Sequence, residues 1–321
     1  MISATTSQNQ THSRKFQALA LGVAIFAAAF ALFQQDAGLD DVLKIALSYG
    51  FGMTVLLTAW LMALLIWTIV RGRAAKTGGA SQTATPRYSV YFAKTRWDDV
   101  AVALLALIVT VSCFSVYKAV AVGADGYGFD AMFIAWDRAI FGGQDPWTLT
   151  HALLPSPFAA KVIDFVYHPA FLPMVAGYIT CIAAQGRPAL RYTYMASYLI
   201  SFVVIGMVMA NALHSAGPAY DGVLFGDGTT FAPLLERLAQ QDAAAGPFAS
   251  VFAQKYLLSL RQVDVIGFGG GISAMPSMHI VLAALWMLAG WHLSRTLGII
   301  LTVYTAIIWF GSVHLGWHYF V

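Results

Sequence analysis

Two short histidine-bearing stretches near the end of the chain contain residue types that carry out phosphate chemistry. The first is Ile272-Ser-Ala-Met-Pro-Ser-Met-His279, and the second, residues 311–321, contains His314 and His318. Histidine can take up or donate a proton near neutral pH, and it can also act as a nucleophile. Both stretches lie at the boundary of an apolar run, so their chemistry depends on the elements that place them.

The first stretch has the composition of a helix start that binds an anion. Pro276 suits the first turn of a helix, where its missing N–H is not needed. The N–H groups of Ser277, Met278 and His279 would then lack helix partners and would hold negatively charged oxygen atoms. His279 would stand over such an anion and donate a proton to a leaving oxygen. The alternative is that Pro-Ser only begins a helix, with His279 at the membrane interface.

In the second stretch, His314 and His318 are four residues apart, a spacing that puts two side chains on one face of a helix. Histidines near a membrane boundary are costly unless they pair or line a wet cavity. Zinc binding is an alternative, although no HExxH glutamate or third ligand accompanies the pair. Another alternative is two interfacial histidines beside Trp317 and Tyr319, which look like an aromatic belt. We predict no metal and no cofactor.

Membrane-spanning helices are the elements that the composition indicates for positioning these stretches. Hydrophobic residues make up 59% of the 321 positions and charged residues only 10%. Soluble domains carry about 25% charged residues, and a soluble fold of this composition would expose large apolar patches and aggregate. The net charge of +3 gives no indication of a nucleic-acid partner. Cys113 and Cys181 both lie in apolar runs, where we expect packing residues.

Seven apolar runs are long enough, at about 20 residues, to cross a bilayer, and helices satisfy the backbone there. The sequence therefore predicts an all-α, polytopic transmembrane bundle. The first run also fits a signal-peptide core, although no small-x-small cleavage site follows it. The seven runs are Phe16–Phe33, Ile45–Val70, Val100–Val122, Phe165–Ala184, Tyr192–Leu213, Ala274–Leu293 and Leu297–Val321.

The basic residues indicate how these spans are oriented. With the N-terminus in the cytoplasm, eleven of the eighteen Lys and Arg residues fall on the cytoplasmic side, against two of the fifteen acidic residues. Both histidine stretches then face the outside. Residues 1–96 would form a two-helix hairpin with a cytoplasmic linker, and residues 97–321 a helical core. We expect an integral protein of a bacterial-type plasma membrane, with its site facing the periplasm or exterior. The sequence does not predict an oligomeric state.

The outer segment between the third and fourth predicted spans contains an amphipathic pattern. Residues Phe129 to Phe141 mix apolar and polar positions at roughly helical spacing. This pattern predicts a helix that lies at the membrane interface. Gly142 and Gly143 are expected to end it.

Taken together, the two stretches resemble motifs of the type 2 phosphatidic acid phosphatase superfamily. Pro276-Ser-Met-His279 looks like its second motif, Pro-Ser-Gly-His, and His318-Tyr-Phe-Val looks like its third, His-x-x-x-Asp. Both forms are closest to the inositol phosphorylceramide synthase-like branch, which the blocks at 136–147 and 213–220 also resemble. The resemblance covers residues 97–321.

The resemblance implies an enzyme, a membrane-embedded phosphatase or phosphotransferase that acts on a lipid phosphate or phosphodiester. His318 would take the phosphoryl group as a phosphohistidine, and His279 would protonate the leaving alcohol. Ser277, Met278 and His314 would help to bind the substrate. No metal is required in this scheme, because fixed donors would neutralise the phosphate oxygens. The partners are then the lipid substrate and the surrounding membrane lipids.

The chain departs from the family pattern at three points. Ser312 stands where the third motif has an arginine. The inositol phosphorylceramide synthase-like branch also tends to lack this arginine. The standard first motif, Lys-x6-Arg-Pro, is absent, so Lys255 and Arg261 are the candidate cations for phosphate binding. The aspartate of the third motif would be residue 322, one beyond Val321, and the helix that follows it is also missing. We therefore expect a C-terminally truncated chain with little activity.

Two alternatives belong to other classes of protein. A proton-coupled transporter would relay protons through ionisable groups inside its spans. Asp164 and His168, with Pro169 and Pro173 able to kink the helix, are the residues that favour this reading. The other alternative is a catalytically inactive membrane scaffold.

Overall fold

A computed structural model describes residues 2–34, 37–77, 97–171, 175 and 187–321. The described part of the chain consists of helices and connecting loops without a β-strand, which confirms the all-α prediction there. A π-helical turn, Val204–Met209, continues the helix Pro188–Val203 into Ala210–Ala212. The helices, numbered in chain order as they are described, are α1 (Ile2–Leu32), α2 (Leu39–Thr77), α3 (Trp97–Val120), α4 (Asp130–Ile140), α5 (Pro146–Leu153), α6 (Pro157–Tyr167), α7 (Pro188–Val203), α8 (Ala232–Ala245), α9 (Ala249–Gln262), α10 (Met278–Leu293) and α11 (Arg295–His314).

Four stretches of helix are long and apolar enough to cross a membrane, which supports a membrane protein. α10 is apolar but has only 16 residues. At 1.5 Å per residue it is about 24 Å long, shorter than the hydrocarbon core of a bilayer, which is about 30 Å thick. The predicted span Ile45–Val70 lies within α2. Most of the predicted span 165–184, and the linker at 78–96, lie outside the described residues, so seven spans and a cytoplasmic N-terminus stay predictions. The four stretches are Gln10–Leu32, Asp98–Val120, Pro188–Ala212 and Arg295–His314.

α1, α3 and α7 meet at a buried polar contact. The Asp99 carboxylate accepts hydrogen bonds from Ser13 Oγ at 2.5 Å and Tyr192 Oη at 2.7 Å. Arg191 Nη2 lies 3.4 Å from the same carboxylate. The buried negative charge of Asp99 is therefore paired and hydrogen-bonded, as a charge in apolar surroundings must be. α3 rises about 28 Å between Asp99 and Lys118 at 1.5 Å per residue, which puts Lys118 at the opposite end of the bundle.

α10 and α11 form a tight antiparallel hairpin. Ser294 lies between them, and its Oγ accepts a hydrogen bond from Leu297 N at 3.2 Å, which caps the start of α11. Thr305 Oγ1 donates to the Ala283 carbonyl oxygen at 3.0 Å and joins the two helices. Gly290 permits their close approach, because a Cβ there would lie 2.7 Å from a side-chain carbon of α11. The hairpin brings the start of α10 and the end of α11 to the same end of the bundle.

The amphipathic pattern at 129–141 does form a helix, α4, but the face that it buries is partly acidic. Gly142 and Gly143 follow α4 with φ values of +64° and +90°, so the predicted end is also confirmed. Asp130 and Asp137 are on the buried face, whereas Trp136 is 51% exposed. The two carboxylates of α4 therefore bind protein groups rather than water.

Candidate active site

The segment before His279 is a glycine-rich loop that packs against α3. At Gly271, which has a φ of +82°, a Cβ atom would lie 2.5 Å from the carbonyl carbon of Lys118. Only glycine fits both this conformation and this approach. The loop that leads into α10 is therefore held against the last turn of α3.

α10 begins at Met278, later than the sequence predicts. Ser277 is its N-cap, and Ser277 Oγ accepts a hydrogen bond from Ile280 N at 3.5 Å. The prediction that Pro276 occupies the first turn is wrong, because the proline lies before the cap and the serine hydroxyl binds the first-turn amide instead. The amides of Met278 and His279 still occupy first-turn positions, which have no acceptor within a helix.

His318 lies in an irregular segment after α11. The helix ends at His314, and Gly316 adopts a φ of +73°, which turns the chain away. The Ser312 carbonyl oxygen accepts hydrogen bonds from both Trp317 N at 2.9 Å and His318 N at 3.2 Å. The prediction that His314 and His318 share a helix face is therefore wrong, because the left-handed glycine separates them.

The segment that precedes α10 orients the His318 ring. Nδ1 of His318 contacts the Ala274 carbonyl oxygen within hydrogen-bonding distance. A carbonyl oxygen can only accept, so Nδ1 carries the proton and Nε2 keeps its lone pair in the neutral ring. Burial lowers the pKa of His318 to about 4, with the Ala274 carbonyl opposing that shift. A neutral imidazole with a free nitrogen is the form that acts as a nucleophile.

Aromatic rings surround His279. Its imidazole stacks on Tyr167, with ring centroids 4.7 Å apart, and Phe171 packs at the same distance. His168, which follows α6, meets His279 edge-on at a centroid distance of 5.7 Å. His168 also packs edge-on against Trp317, the residue before His318, at a centroid distance of 5.3 Å. The structure thus brings together three histidines, of which the sequence pattern identified only two as a site.

Lys118, at the end of α3, is the cation whose charge acts on both His279 and His318. Its ammonium lies 5.1 Å from the centroid of the Phe114 ring. The sequence pattern did not identify this lysine, because it lies within an apolar run and belongs to no motif. Only the packing of α3 against the loop before α10 shows that it is near the histidines.

The two cations that the sequence predicted are placed differently. Arg261 Nη2 donates to the Gly123 carbonyl oxygen at 2.7 Å, and its guanidinium lies 5.8 Å from the centroid of Tyr127. Lys255 is exposed on α9. Neither is among the charged groups that act on the histidine pair in the described part of the chain.

His314 is fully buried at the end of α11 and packs against α5. Its ring stacks on His151 with centroids 4.0 Å apart. His151 Nε2 in turn contacts the His314 carbonyl oxygen at 2.8 Å. The structure thus places the His314 ring against α5, and its role in substrate binding stays a prediction.

Residues 214–220 lie between the two histidine segments. The Ser215 carbonyl oxygen accepts a hydrogen bond from Ala274 N at 2.8 Å. At Gly217, with a φ of +91°, a Cβ would lie 2.6 Å from the Trp317 carbonyl oxygen and 2.8 Å from Ala274 Cβ. A side chain at Gly217 would therefore push both segments away from each other.

Asp130 of α4 joins this segment to the end of the chain. Its carboxylate accepts hydrogen bonds from the main-chain amides of Ala216 and Gly217, each at 2.9 Å. The Tyr319 hydroxyl donates to the same carboxylate at 2.6 Å. Burial raises the pKa of Asp130, and these donors oppose the shift. The carboxylate fixes the residue directly after His318.

Asp137, about two helical turns further along α4, holds Phe320 and Val321. Its carboxylate accepts hydrogen bonds from Phe320 N at 2.9 Å and Val321 N at 3.1 Å. A crevice of about 10 Å³, lined in part by Asp137 and Trp147, reaches His318 from this side. That volume is close to the minimum that holds one water molecule.

Asp164, which the transporter alternative uses, has a structural role. Its carboxylate accepts hydrogen bonds from Ala249 N and Ser250 N, each at 2.8 Å, at the start of α9. Lys161 lies 3.6 Å away. Across the described ranges, no group of three His, Cys, Asp or Glu side chains is arranged to hold a metal ion.

Comparison with known proteins identifies the family. No curated protein and no solved structure matches the chain. A family model described as the PAP2 superfamily matches residues 131–321. The match includes His168, His279 and His318, whereas Lys118 precedes it. Because the match covers more than half of the 321 residues, the chain belongs to the PAP2 superfamily.

Proposed function

We propose that this protein is a membrane-embedded phosphatase or phosphotransferase that acts on a lipid phosphate or phosphodiester through a phosphohistidine on His318. The observation that carries the proposal is the convergence of His279 and His318, from two separate segments, at one end of the bundle. The His168 ring packs against both His279 and Trp317, and His318 contacts the Ala274 carbonyl oxygen. Membership of the PAP2 superfamily suggests phosphatase activity and supports it. The inositol phosphorylceramide synthase-like branch, suggested by both motifs, is part of this proposal.

In the first step, His318 Nε2 attacks the phosphorus of a phosphate monoester that carries one negative charge. The bond between phosphorus and the alcohol oxygen breaks, and that oxygen takes the proton of the phosphate, relayed by His279. The products are the free alcohol and a phosphohistidine. The Ala274 carbonyl keeps the proton on Nδ1 throughout, so the reactive nitrogen is always Nε2.

In the second step, an oxygen nucleophile attacks the phosphohistidine. The bond between phosphorus and Nε2 breaks, and His318 regains its lone pair. His279 receives the proton of the attacking oxygen and passes it to the departing phosphate. Water as the acceptor gives inorganic phosphate, and an alcohol gives a new phosphate ester. Dividing one difficult displacement into two is the advantage of covalent catalysis.

An exposed apolar ridge on α6 supports a lipid substrate. Phe158, Val162 and Phe165 are 75%, 45% and 57% exposed and lie three or four residues apart on one face of the helix. Such a ridge is expected to contact acyl chains. α6 ends immediately before His168, so a lipid bound along this ridge would have its polar head at the histidines.

We place the site on the outer side of a bacterial-type plasma membrane, as the distribution of basic residues favours. Membrane vesicles of known orientation test this placement. Right-side-out vesicles are expected to hydrolyse an impermeant lipid-phosphate analogue added outside, whereas inverted vesicles act on it only after permeabilisation. Equal activity in both would contradict the orientation.

The activity is tested with purified protein in detergent and phosphatidic acid labelled with ³²P. Release of phosphate, or its transfer to an added lipid or polyol alcohol, is measured together with labelling of the protein after alkaline quenching, which preserves phosphohistidine. His318→Gln is expected to lose both turnover and labelling, and His279→Gln to lose turnover. His292→Gln is the matched control, because His292 is exposed at the other end of the same helix.

The outcomes separate the roles clearly. Turnover that survives both His279→Gln and His318→Gln would rule out the proposed mechanism. A full-length protein without turnover on any phosphate monoester or diester would rule out the activity itself. Loss of turnover in His292→Gln would show that the assay reports folding rather than chemistry.

A further inference from the structure

A phosphoryl group at His318 needs a positive charge that the two motif histidines do not supply. The group carries one to two negative charges, and the His318 ring is buried. A buried charge is costly unless it is paired and hydrogen-bonded. The standard arginine position of the third motif holds Ser312, whose hydroxyl donates to the Trp309 carbonyl oxygen at 2.6 Å. Another part of the fold must therefore provide the cation.

The ammonium of Lys118 is in a position to provide it. Lys118 lies in the last turn of α3, and the contact between its main chain and Gly271 fixes it beside the loop that leads to His279. Its ammonium lies 5.1 Å from the centroid of Phe114. The Phe114 ring and the sulfur of Met278, the residue before His279, would both lie within 3.3 Å of a Cβ at Gly206. The positive charge of Lys118 lowers the pKa of His318. Among the residues that the structure describes, no carboxylate lies within ion-pair distance of it, so its charge is not already neutralised.

His168 supplies a hydrogen-bond donor on the other side of the pair. Its Nε2 atom is buried and has no hydrogen-bond partner in the described part of the protein. Its ring meets His279 and Trp317 nearly edge-on, at centroid distances of 5.7 Å and 5.3 Å. Trp317 Nε1 and Ser273 Oγ are buried without a partner as well. Such atoms occur elsewhere in the described chain too, but these three belong to residues that flank the histidine pair, because Ser273 precedes Ala274 and Trp317 precedes His318.

We propose that Lys118 and His168 complete the phosphate-binding site, with the Lys118 ammonium and the His168 Nε2–H both bound to non-bridging oxygens of the phosphoryl group. Lys118 supplies the charge, and His168 supplies a directed hydrogen bond. Neither residue belongs to the two motifs, and Lys118 lies outside the family match at 131–321. The assignment rests on the proposed function and specifies which groups of that site hold the phosphate.

Direct anion binding tests the assignment without any need for turnover. Orthovanadate, a phosphate analogue, is titrated into the purified full chain in detergent by calorimetry, for wild type and each variant. Lys118→Met is expected to weaken binding at least tenfold, and Lys118→Arg to retain most of it, because the charge is kept. His168→Leu is expected to weaken binding about tenfold, and His168→Gln less, because its amide still donates. These losses correspond to about 1.4 kcal/mol per tenfold.

Lys44→Met is the matched control for Lys118→Met, because Lys44 is an exposed lysine on α2. Its vanadate affinity is expected to equal that of wild type. Each variant is checked for monodispersity in detergent and for an unchanged helical spectrum, and Lys118→Arg separates loss of charge from loss of packing. In the turnover assay, Lys118→Met is expected to raise KM for the lipid phosphate.

The two proposals can fail separately. Unchanged vanadate affinity in Lys118→Met and His168→Leu, with turnover that still requires His318, would overturn only the phosphate-site assignment. Failure of wild type to bind vanadate would overturn it as well. Vanadate binding that depends on Lys118, in a protein without turnover, would uphold the anion site and reject the enzymatic function.

Discussion

The main-chain carbonyl of Ala274 accepts the Nδ1 proton of His318, so the segment that leads to one motif histidine orients the other. The same residue is tied through its N–H to Ser215. Ala274 therefore joins three segments that are far apart in the sequence. The reactive nitrogen of His318 depends on main-chain positions, and small displacements of the loop before α10 are expected to alter activity.

The first prediction concerns the titration of His318. Burial holds the pKa of its imidazole at about 4, whereas an unperturbed histidine titrates near pH 6.5. The ring is therefore expected to stay neutral, with a free Nε2, as the pH falls from 7 to about 5. NMR of the histidine ring carbons, assigned with His318→Gln, measures this titration. A midpoint near pH 6.5 in wild type would contradict the inferred environment.

The same measurement detects Lys118 independently of turnover. A nearby positive charge disfavours protonation of an imidazole, and Lys118 has this effect on His318. Lys118→Met is therefore expected to raise the pKa of His318. Lys44→Met is expected to leave it unchanged. An equal titration curve in Lys118→Met and wild type would show that the ammonium does not act on the ring.

The second prediction separates the roles of the two motif histidines by leaving group. An alkoxide needs a proton as it departs, whereas para-nitrophenolate does not. His279→Gln is expected to slow the transfer of phosphoryl from a lipid phosphate to His318 by about 10² to 10⁴, the usual contribution of a general acid, and to release para-nitrophenolate in the first turnover nearly as fast as wild type does. His318→Gln is expected to lose both activities. Later turnovers are expected to slow with both substrates, because His279 also takes the proton of the attacking water. Equal slowing of the first turnover with both substrates in His279→Gln would exclude an acid role.

Parts of this fold follow from local sequence, and those parts were predictable. Low charge and long apolar runs indicate membrane helices, and the spacing at 129–141 with Gly142-Gly143 indicates α4 and its end. Such features depend on periodicity and on glycine conformation, which neighbouring residues determine. The positions of His279 and His318 followed from motif residues of the same local kind.

Other parts depend on contacts between distant segments, and the sequence pattern could not supply them. The end of α11 at His314 is fixed by the left-handed Gly316 and by hydrogen bonds to Ser312. Lys118 lies near the histidines because the last turn of α3 packs against Gly271 in the loop before α10, and His168 does so because α6 packs against α11. A half-buried lysine in an apolar run gives no periodic or motif signal, so the sequence pattern indicates Lys255 and Arg261 instead, and their role in phosphate binding stays a prediction.

The third prediction concerns Gly217, which separates the two histidine segments. Gly217→Ala places a Cβ 2.6 Å from the Trp317 carbonyl oxygen and is expected to abolish turnover. Gly246 is the matched control, because it has nearly the same conformation, φ 85° and ψ 164° against 91° and 165°, with nothing within 4 Å of a Cβ. Both variants carry backbone strain of about 1–3 kcal/mol.

Turnover and thermal unfolding of both glycine variants are compared in detergent. Gly246→Ala is expected to lower thermal stability but to keep turnover, because it has the same backbone strain as Gly217→Ala without the contact with Trp317. Gly217→Ala is expected to lose turnover beyond what its stability loss explains. Similar turnover in the two variants would show that the contact with Trp317 does not position the site.

The fourth prediction concerns Asp137, which binds the amides of Phe320 and Val321 with its two carboxylate oxygens. In Asp137→Asn, an amide nitrogen would replace one acceptor and face an N–H group. We expect a loss of about 1–3 kcal/mol in the free energy of unfolding, together with reduced turnover, because His318 lies two residues before Phe320. Asp145→Asn is the control: it removes the negative charge from the two-pronged pair of the 16% exposed Asp145 with the 41% exposed Arg138 but keeps an oxygen that accepts from Arg138. The expected loss is about 0–1 kcal/mol, as for ion pairs near the surface. Denaturant titration followed by tryptophan fluorescence measures both variants, and equal losses would show that the amide contacts of Asp137 do not stabilise the segment that carries His318.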